Sequence, residues 1–370
     1  MDTYVRLRNR LIGGLYRKVL KPLFFMNDPE DVHDLMILVG AFLGEYKLTR
    51  FLARIMFYYD NPILSQNVLG IHFAKPVGLA AGFDKDAQLT QIIPDVGFGF
   101  EEVGSITALP CVGNPKPRLW RIPDAESLVV WYGLKNRGAQ DISTRLRDQQ
   151  FSIPLGTSIA MTNCQENLDL DTAVADYAQG FSTFVEIGDY FTVNISCPNA
   201  LGGQPFIVPS ALEYLLLRID EIETKKPVFV KLSPDMSLPE IDELLAVVEK
   251  HRVHGIICTN LTKKRDGIAP NTIPAVGGLS GKAVQGLSDK MIAHIYKTKR
   301  DRFVIVGCGG VFSAEDAYKK IRAGATLVQM FTGMVFQGPQ VVSEIHQGLV
   351  HLLERDGFTH VSQAIGVDVV

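Results

Sequence analysis

The chain has 370 residues, 46% of them hydrophobic, enough for one large domain with a small appendage. Charge is nearly balanced at 37 basic and 40 acidic residues, so nothing global marks nucleic acid or an acidic polymer as a partner. Cys111, Cys164, Cys197, Cys258 and Cys308 are odd in number and contain no CxxC pair, which argues against a disulfide framework, a metal site or a self-contained iron–sulfur cluster and fits a reducing compartment.

Residues 1–45 read as an amphipathic helical arm. Arg6, Arg8, Arg10, Arg17, Lys18 and Lys21 face a single acid, Asp2, over the first turns. Leu7, Leu11, Leu15, Tyr16, Val19, Leu20, Leu23, Phe24 and Phe25 recur at helical spacing. Pro22 and Pro29 are expected to break the segment, with Asp28 capping a second helix over about 29–44. Two readings of the arm stand side by side: a helix lying in the headgroup region of a membrane, or a helical pair packed on its own domain. The longest apolar run, 36–44, is far below the ~20 residues of a membrane span. No signal peptide is legible. The expectation is an intracellular protein, in peripheral contact with the cytoplasmic or inner membrane through its arm.

Residues 46–370 are read as the second domain, and from Pro76 onward the pattern changes to short β-rich runs alternating with helical stretches. Eight runs stand out: 76–82, 98–106, 153–161, 190–197, 227–233, 255–260, 302–310 and 325–333. Helical periodicity fills 173–187, 210–223, 239–251 and 283–297. Several runs are apolar almost throughout, as strands covered on both faces must be. Eight such units predict an α/β fold, a (β/α)8 TIM barrel with an N-terminal helical extension. A doubly wound sheet would rarely repeat this regularly.

In such a barrel the site lies at the C-terminal ends of the strands. The polar residues there are Lys85, Ser105, Thr107, Asn194, Ser196, Cys197, Asn199, Lys231, Ser233, Thr259 and Asn260. A lone lysine after a strand is usually a solvated loop residue; two lysines, three asparagines and a cysteine at one mouth are harder to explain structurally. Gly309–Gly310 before the helix start at Ser313, the 330–333 segment, and the Gly277–Gly281 loop suggest a phosphate grip after the last strands. These point to one bound mononucleotide. Four of the cysteines take the default reading of small apolar fillers. Cys197 differs, because Pro198 ends its strand and asparagines flank it. That places a thiol at the mouth, where its thiolate form is a general base.

Five motifs, Ala80-Ala-Gly-Phe-Asp-Lys85, Gly104-Ser-Ile-Thr107, Gly113-Asn-Pro-Lys-Pro-Arg118, Asn194-Ile-Ser-Cys-Pro-Asn199 and Gly277-Gly-Leu-Ser-Gly281, resemble the dihydroorotate dehydrogenases. The likeness runs from about Asp28 to the C-terminus, and the arm with the NPKPR and GGLSG loops looks like the membrane-associated, quinone-reducing class 2. The resemblance implies FMN as cofactor, dihydroorotate as substrate, a quinone as acceptor and a place in pyrimidine biosynthesis. Carried over by position, Cys197 would be the catalytic base. Lys85, Asn194, Asn199 and Asn260 would bind substrate. Ala80, Ala81, Gly82, Lys85, Ser105, Ser158, Asn194, Lys231, Thr259, Ser280, Gly281, Gly309, Gly310, Phe331 and Thr332 would line FMN. His33 and Arg121 match the quinone-tunnel positions.

The chain also departs from that pattern. Class 2 members carry serine as the base, whereas cysteine is the choice of the soluble class 1 branch. Val130 stands where the family has a fourth substrate asparagine, and Leu261 where it has a hydroxyl residue. Ala200, Leu134 and Ser158 replace a threonine, an aromatic residue and an FMN-side asparagine. Each polar substrate group left without a partner costs ~1–3 kcal/mol, so two losses weaken orotate-like binding roughly 30- to 10,000-fold unless something compensates. A second reading therefore stays open: a paralogue that oxidises or reduces a C–C bond next to a carbonyl in a less polar substrate.

Overall fold

The computed structural model describes residues 2–266, 268, 273–300 and 302–369. Eight parallel strands close a barrel in chain order: β1 (Val77–Leu79), β2 (Glu101–Ile106), β3 (Leu155–Ile159), β4 (Tyr190–Asn194), β5 (Val228–Lys231), β6 (Gly255–Cys258), β7 (Val304–Cys308) and β8 (Leu327–Met330). Each lies inside one of the eight β-rich runs. Their residues are buried almost without exception, because helices cover the outside and side chains fill the inside. Helices Leu170–Thr183, Pro209–Asp220, Leu238–Val248 and Lys282–Lys299 occupy the four expected stretches.

The N-terminal end of the barrel is plugged. An antiparallel hairpin, Gln66–Val68 with Ile71–Phe73, sets Val68 and Phe73 against Phe100, Tyr190, Phe229 and Ile257 inside the barrel. The opposite end carries a three-stranded antiparallel sheet of Leu119–Ile122, Ser127–Val130 and Gly278–Gly281. This sheet joins the excursion after β2 to the glycine loop after β6, and it stands beside the mouth.

The arm is α1 (Asp2–Leu15), a π-helical stretch Tyr16–Leu20 and α2 (Lys21–Phe25), followed by α3 (Pro29–Glu45) and, directly after it, α4 (Lys47–Phe57). Met1, the first residue of the expected arm, lies outside the described residues. Pro22, expected to break the arm, does not. The π turns immediately before it, with the Lys21 amide donating to the Tyr16 carbonyl, widen the ladder where the proline ring and missing N–H would otherwise clash. Asp28 caps α3 as expected, accepting from the Glu30 and Asp31 amides at 2.8 and 3.2 Å.

The arm has two faces with different fates. Val5 and Asn9 are buried against the barrel. Arg8 donates to the Ile55 and Tyr58 carbonyls and to Ser343 Oγ, pinning α1 to both α4 and helix Val341–Arg355. Leu7, Leu11 and Leu15 on α1, Leu38 and Phe42 on α3, and Leu48 and Phe51 on α4 are exposed. Among the described residues no helix is long and apolar enough to cross a membrane.

Candidate active site

One continuous cavity of about 480 Å³ runs from between the arm helices to the barrel mouth. Its outer end is walled by Tyr16, Phe24, Phe25, Val32, His33, Met36 and Arg121. Its inner end holds Lys85, Asn194, Cys197, Asn199, Lys231, Thr259, Asn260, Val130 and Leu261. Ala80, Ala81, Gly82, Ser105, Ser280, Gly281, Gly309, Gly310, Phe331 and Thr332 lie between. Every residue that the resemblance assigns to the site thus borders one space, Ser158 excepted. Ser158 is fully buried beneath, sharing a 2.8 Å hydrogen bond with Ser105 Oγ, which in turn accepts from Asn194 Nδ2. Thr107, Ser196 and Ser233, also at the strand ends, are buried behind the cavity wall and do not line it.

The asparagines form a network rather than separate contacts. Asn194 Oδ1 accepts from Ser196 N–H and from Asn260 Nδ2 at 3.1 Å, and the Tyr177 hydroxyl donates to the Asn194 carbonyl. Asn199 Nδ2 donates to the Val130 carbonyl at 2.8 Å, fastening the Cys197 loop to the mouth sheet. Cys197 lies half-buried on the cavity wall. Burial pushes its thiol up to about 11, against the opposing pull of the Asn199 and Ala200 amides. Cys308 also borders the cavity, packed among Ala80 and Phe331, whereas Cys111 and Cys258 are buried fillers.

Lys85 reaches the centre of the cavity. Its ammonium stands 4.1 Å over the Tyr132 ring and 3.3 Å from Nε2 of His33, a residue of α3 that is 52 positions away. Burial, then the neighbouring Lys135 charge, brings Lys85 down to about 8. His33 is held below its usual range by burial and by Lys85, with Asp34 pulling the other way through a 3.0 Å contact at Nδ1. Arg121 donates to the Asn27 carbonyl and stacks 4.7 Å from the Phe25 ring, so it anchors the turn between α2 and α3.

On the far side, the backbone comes close enough to form a phosphate cradle. Gly309 and Gly310 have φ of 120° and 73°, and a Cβ on either would fall within 2.7 Å of Val284 or 2.3 Å of Gln285. Only glycine satisfies both demands. Ser280 Oγ and Thr332 Oγ1 lie 2.9 Å apart beside them, and Ser313 caps helix Ala314–Arg322 behind. Glycine backbone next to two hydroxyls suits a phosphate monoester.

The family model for dihydroorotate dehydrogenase matches residues 63–353. The chain belongs to the dihydroorotate dehydrogenase family. A "dihydroorotate dehydrogenase (quinone)" of Gloeobacter violaceus is 37% identical over 95% of this chain and 98% of its own length. One of Natronomonas pharaonis is 39% identical over 96% of this chain and 100% of its own. The crystal structure of the Eimeria tenella dihydroorotate dehydrogenase in complex with ferulenol superposes with a TM-score of 0.83 at 30% identity, covering 92% of this chain and 96% of that one.

Two residues of this family member's site, Glu30 and Asn163, carry no signal in the sequence. Glu30 of α3 is buried and takes three hydrogen bonds from Arg118, at 2.9–3.2 Å, with Lys116 and Lys135 each 3.5 Å away. Burial alone would raise the Glu30 carboxyl, but the Arg118 hydrogen bonds and the three cations hold it below its usual range. A glutamate in a first helical turn reads locally as a dipole partner, and nothing nearby in sequence announces a partner 88 positions on. Asn114 donates to the Trp131 and Asn199 carbonyls, and Asn163 to the Gly133 carbonyl while accepting from Leu201 N–H. Together they lash the Cys197 loop to the mouth sheet.

Glu30→Ala leaves Arg118 buried without a counter-charge, and a broken buried pair costs ~3–5 kcal/mol. A fall in thermal midpoint beyond that of an exposed control, Asp31→Ala, is the expected result in a melting experiment. Because the folded Glu30 is depressed, its contribution is present above the ordinary glutamate range and disappears as pH falls through it. The difference between variant and wild type should shrink as pH falls below the ordinary glutamate range and Glu30 becomes protonated in the fold.

Two of the departures from the family pattern, Val130 and Leu261, meet on one wall, on either side of Gly278. Val130 packs against the cluster of Leu128, Phe312 and Phe336 and pairs with Gly278 across the mouth sheet. Leu261 sits so close to Gly278 that a Cβ there would meet it at 2.6 Å, with Pro198 at 3.2 Å. Neither side chain offers a hydrogen bond, so that wall of the mouth is apolar.

Proposed function

We propose that this chain oxidises dihydroorotate to orotate with FMN and delivers the electrons to a quinone. The observation that carries the reading is the single cavity with a polar, cysteine-bearing inner end and an apolar, arm-walled outer end. The names of its relatives point the same way.

The residues present fit FMN. Gly309, Gly310, Gly281, Ser280 and Thr332 would hold the phosphate, while Ala80, Ala81, Gly82, Thr259 and Phe331 would flank the flavin. Ser105, resting on Ser158, and Asn194 would meet the polar edge, where Lys231 would place a positive charge. Bound there, FMN supplies the two-electron acceptor next to the substrate pocket. Asn194, Asn199 and Asn260 would orient the substrate ring by its amide and carbonyl groups, and Lys85 would hold its carboxylate. Cys197 takes the proton from the ring carbon, on a loop that the Asn114 and Asn163 hydrogen bonds hold in place.

The outer end suits the quinone, with His33 and Arg121 as its polar residues. A peripheral membrane contact would let a lipid-soluble acceptor enter without crossing water. The exposed apolar face of α1, α3 and α4, bordered by Arg6, Arg10, Arg17 and Lys18, supports that contact. Residues 1–45 would form the arm and 46–370 the FMN-binding barrel, inside the cell.

Val130 and Leu261 favour one alternative, a paralogue acting on a less polar carbonyl compound. Anaerobic mixing of the FMN-loaded protein with dihydroorotate separates the two. Rapid, saturable loss of the oxidised-flavin absorbance is expected. A flavin that dithionite reduces and dihydroorotate does not would transfer the proposal to the paralogue.

A further inference from the structure

No role falls to Lys135 in that chemistry, yet it borders the same cavity as Lys85. It follows a sharp turn: Gly133 and Leu134 have φ of 66° and 63°, and leucine rarely adopts that left-handed conformation. The turn lies directly after the mouth sheet that carries Val130.

Its partners hold it loosely. Lys135 Nζ is 3.5 Å from Glu30 Oε1 and 3.6 Å from Asp34 Oδ2, near the limit for an ion pair. Arg118 takes Glu30 in the fork geometry, and His33 occupies the other Asp34 oxygen at 3.0 Å. Lys85, on the cavity side, makes no ion pair within 4 Å among the described residues; its neighbours are His33 and the Tyr132 ring. Two ammonium groups therefore face one pocket, one with no paired carboxylate and the other with second-choice partners. Such a pair is relieved by an anion between them.

We propose that Lys135 is a second cation of the substrate site, recognising the carboxylate together with Lys85. The inference rests on the dihydroorotate reading and adds to it how an apolar wall at Val130 and Leu261 is tolerated. A stronger grip on the charge offsets the hydrogen bonds that the substrate ring does not find along that wall. Because Lys135 also touches Glu30 and Asp34 of α3, an anion that draws it inward loosens its contact with the arm.

The test is equilibrium binding to the FMN-loaded protein, read by perturbation of the flavin spectrum. Orotate is compared with uracil, which has the same ring and no carboxylate. Lys135→Met is expected to weaken orotate by about tenfold or more, the range of one charge-assisted hydrogen bond, and to leave uracil within about twofold. Lys135→Arg should restore most of the loss. A second readout is the pH above which orotate binding fails. The charges facing Lys85 are Lys135, Asp34, Asp86 and Glu30, with His33 and Tyr132 in contact. Removing the one like charge raises Lys85 from about 8, so this limit should move to higher pH in Lys135→Met.

Equal orotate affinity in Lys135→Met and wild type would overturn the proposal. So would a parallel loss for orotate and uracil, or a lower thermal midpoint with affinity intact, since either would mark Lys135 as a structural tie to the arm. Failure of the wild type to bind orotate would refute the substrate reading itself, and the proposal with it.

Discussion

Replacing Cys197 by alanine should leave a folded, yellow protein whose flavin is reduced by dihydroorotate ~10²–10⁴-fold more slowly, the usual contribution of a positioned base. Stopped-flow reduction measures this without interference from the quinone step. The pH dependence is more informative than the loss. The wild-type thiol is held up to about 11 by burial, so over the neutral range only a small fraction is thiolate. At saturating dihydroorotate the limiting rate of reduction should rise about tenfold per pH unit from neutral pH and level off only as pH nears about 11. Cys197→Ser should be slower throughout, because a hydroxyl is far less acidic than a thiol. A flat profile in the wild type, or near-normal reduction in Cys197→Ala, would assign the proton to another group.

Removing residues 1–27 should uncouple the two half-reactions. This cut takes away Tyr16, Phe24 and Phe25 from the outer end of the cavity but keeps Glu30, His33 and the whole of α3. A longer cut through residue 45 would also strip Arg118 of Glu30, and its effect on the acceptor could not be separated from damage beside the substrate loop. Turnover with a quinone should fall by at least about tenfold, equivalent to losing one aromatic contact. Flavin reduction by dihydroorotate should stay within about twofold. Equal turnover in the truncated and full chains would place acceptor entry elsewhere, and loss of both half-reactions would show that α1 and α2 support the substrate site as well.

Part of this site is legible in the sequence because its signals are local. A strand buried on both faces is largely apolar, so several of β1 to β8 announce themselves by composition and the regular alternation with helices places the rest. The residues at their C-terminal ends are then placed without further information. Lys85, Asn194, Cys197, Lys231 and Asn260 meet at one cavity because the barrel closes, and closure follows from eight units in series. Gly309 and Gly310 are legible for the same reason, since a positive φ beside a close-packed helix leaves no other residue.

Other features depend on pairings that no local pattern encodes. The mouth sheet pairs Ser127–Val130 with Gly278–Gly281, strands too short and too distant to signal each other. Glu30 looks like an ordinary helix-start carboxylate until Arg118 folds onto it. The arm offered two readings from one helical stripe, and the fold divides them: Val5, Asn9 and Arg8 bind the barrel, while Leu7, Leu11 and Leu15 face outward. Pro22 misled because a proline forbids a regular α-turn but not a π-widened one.

The barrel, the position of its mouth and the identity of the thiol and cations there are written into the chain directly, because burial and backbone conformation act residue by residue. That His33 touches Lys85, that Lys135 stands beside them on the same cavity, and that arm and mouth share one space follow only from the folded arrangement. Those contacts are set by how separately formed elements pack, and their energies belong to pairs of residues that the chain itself keeps far apart.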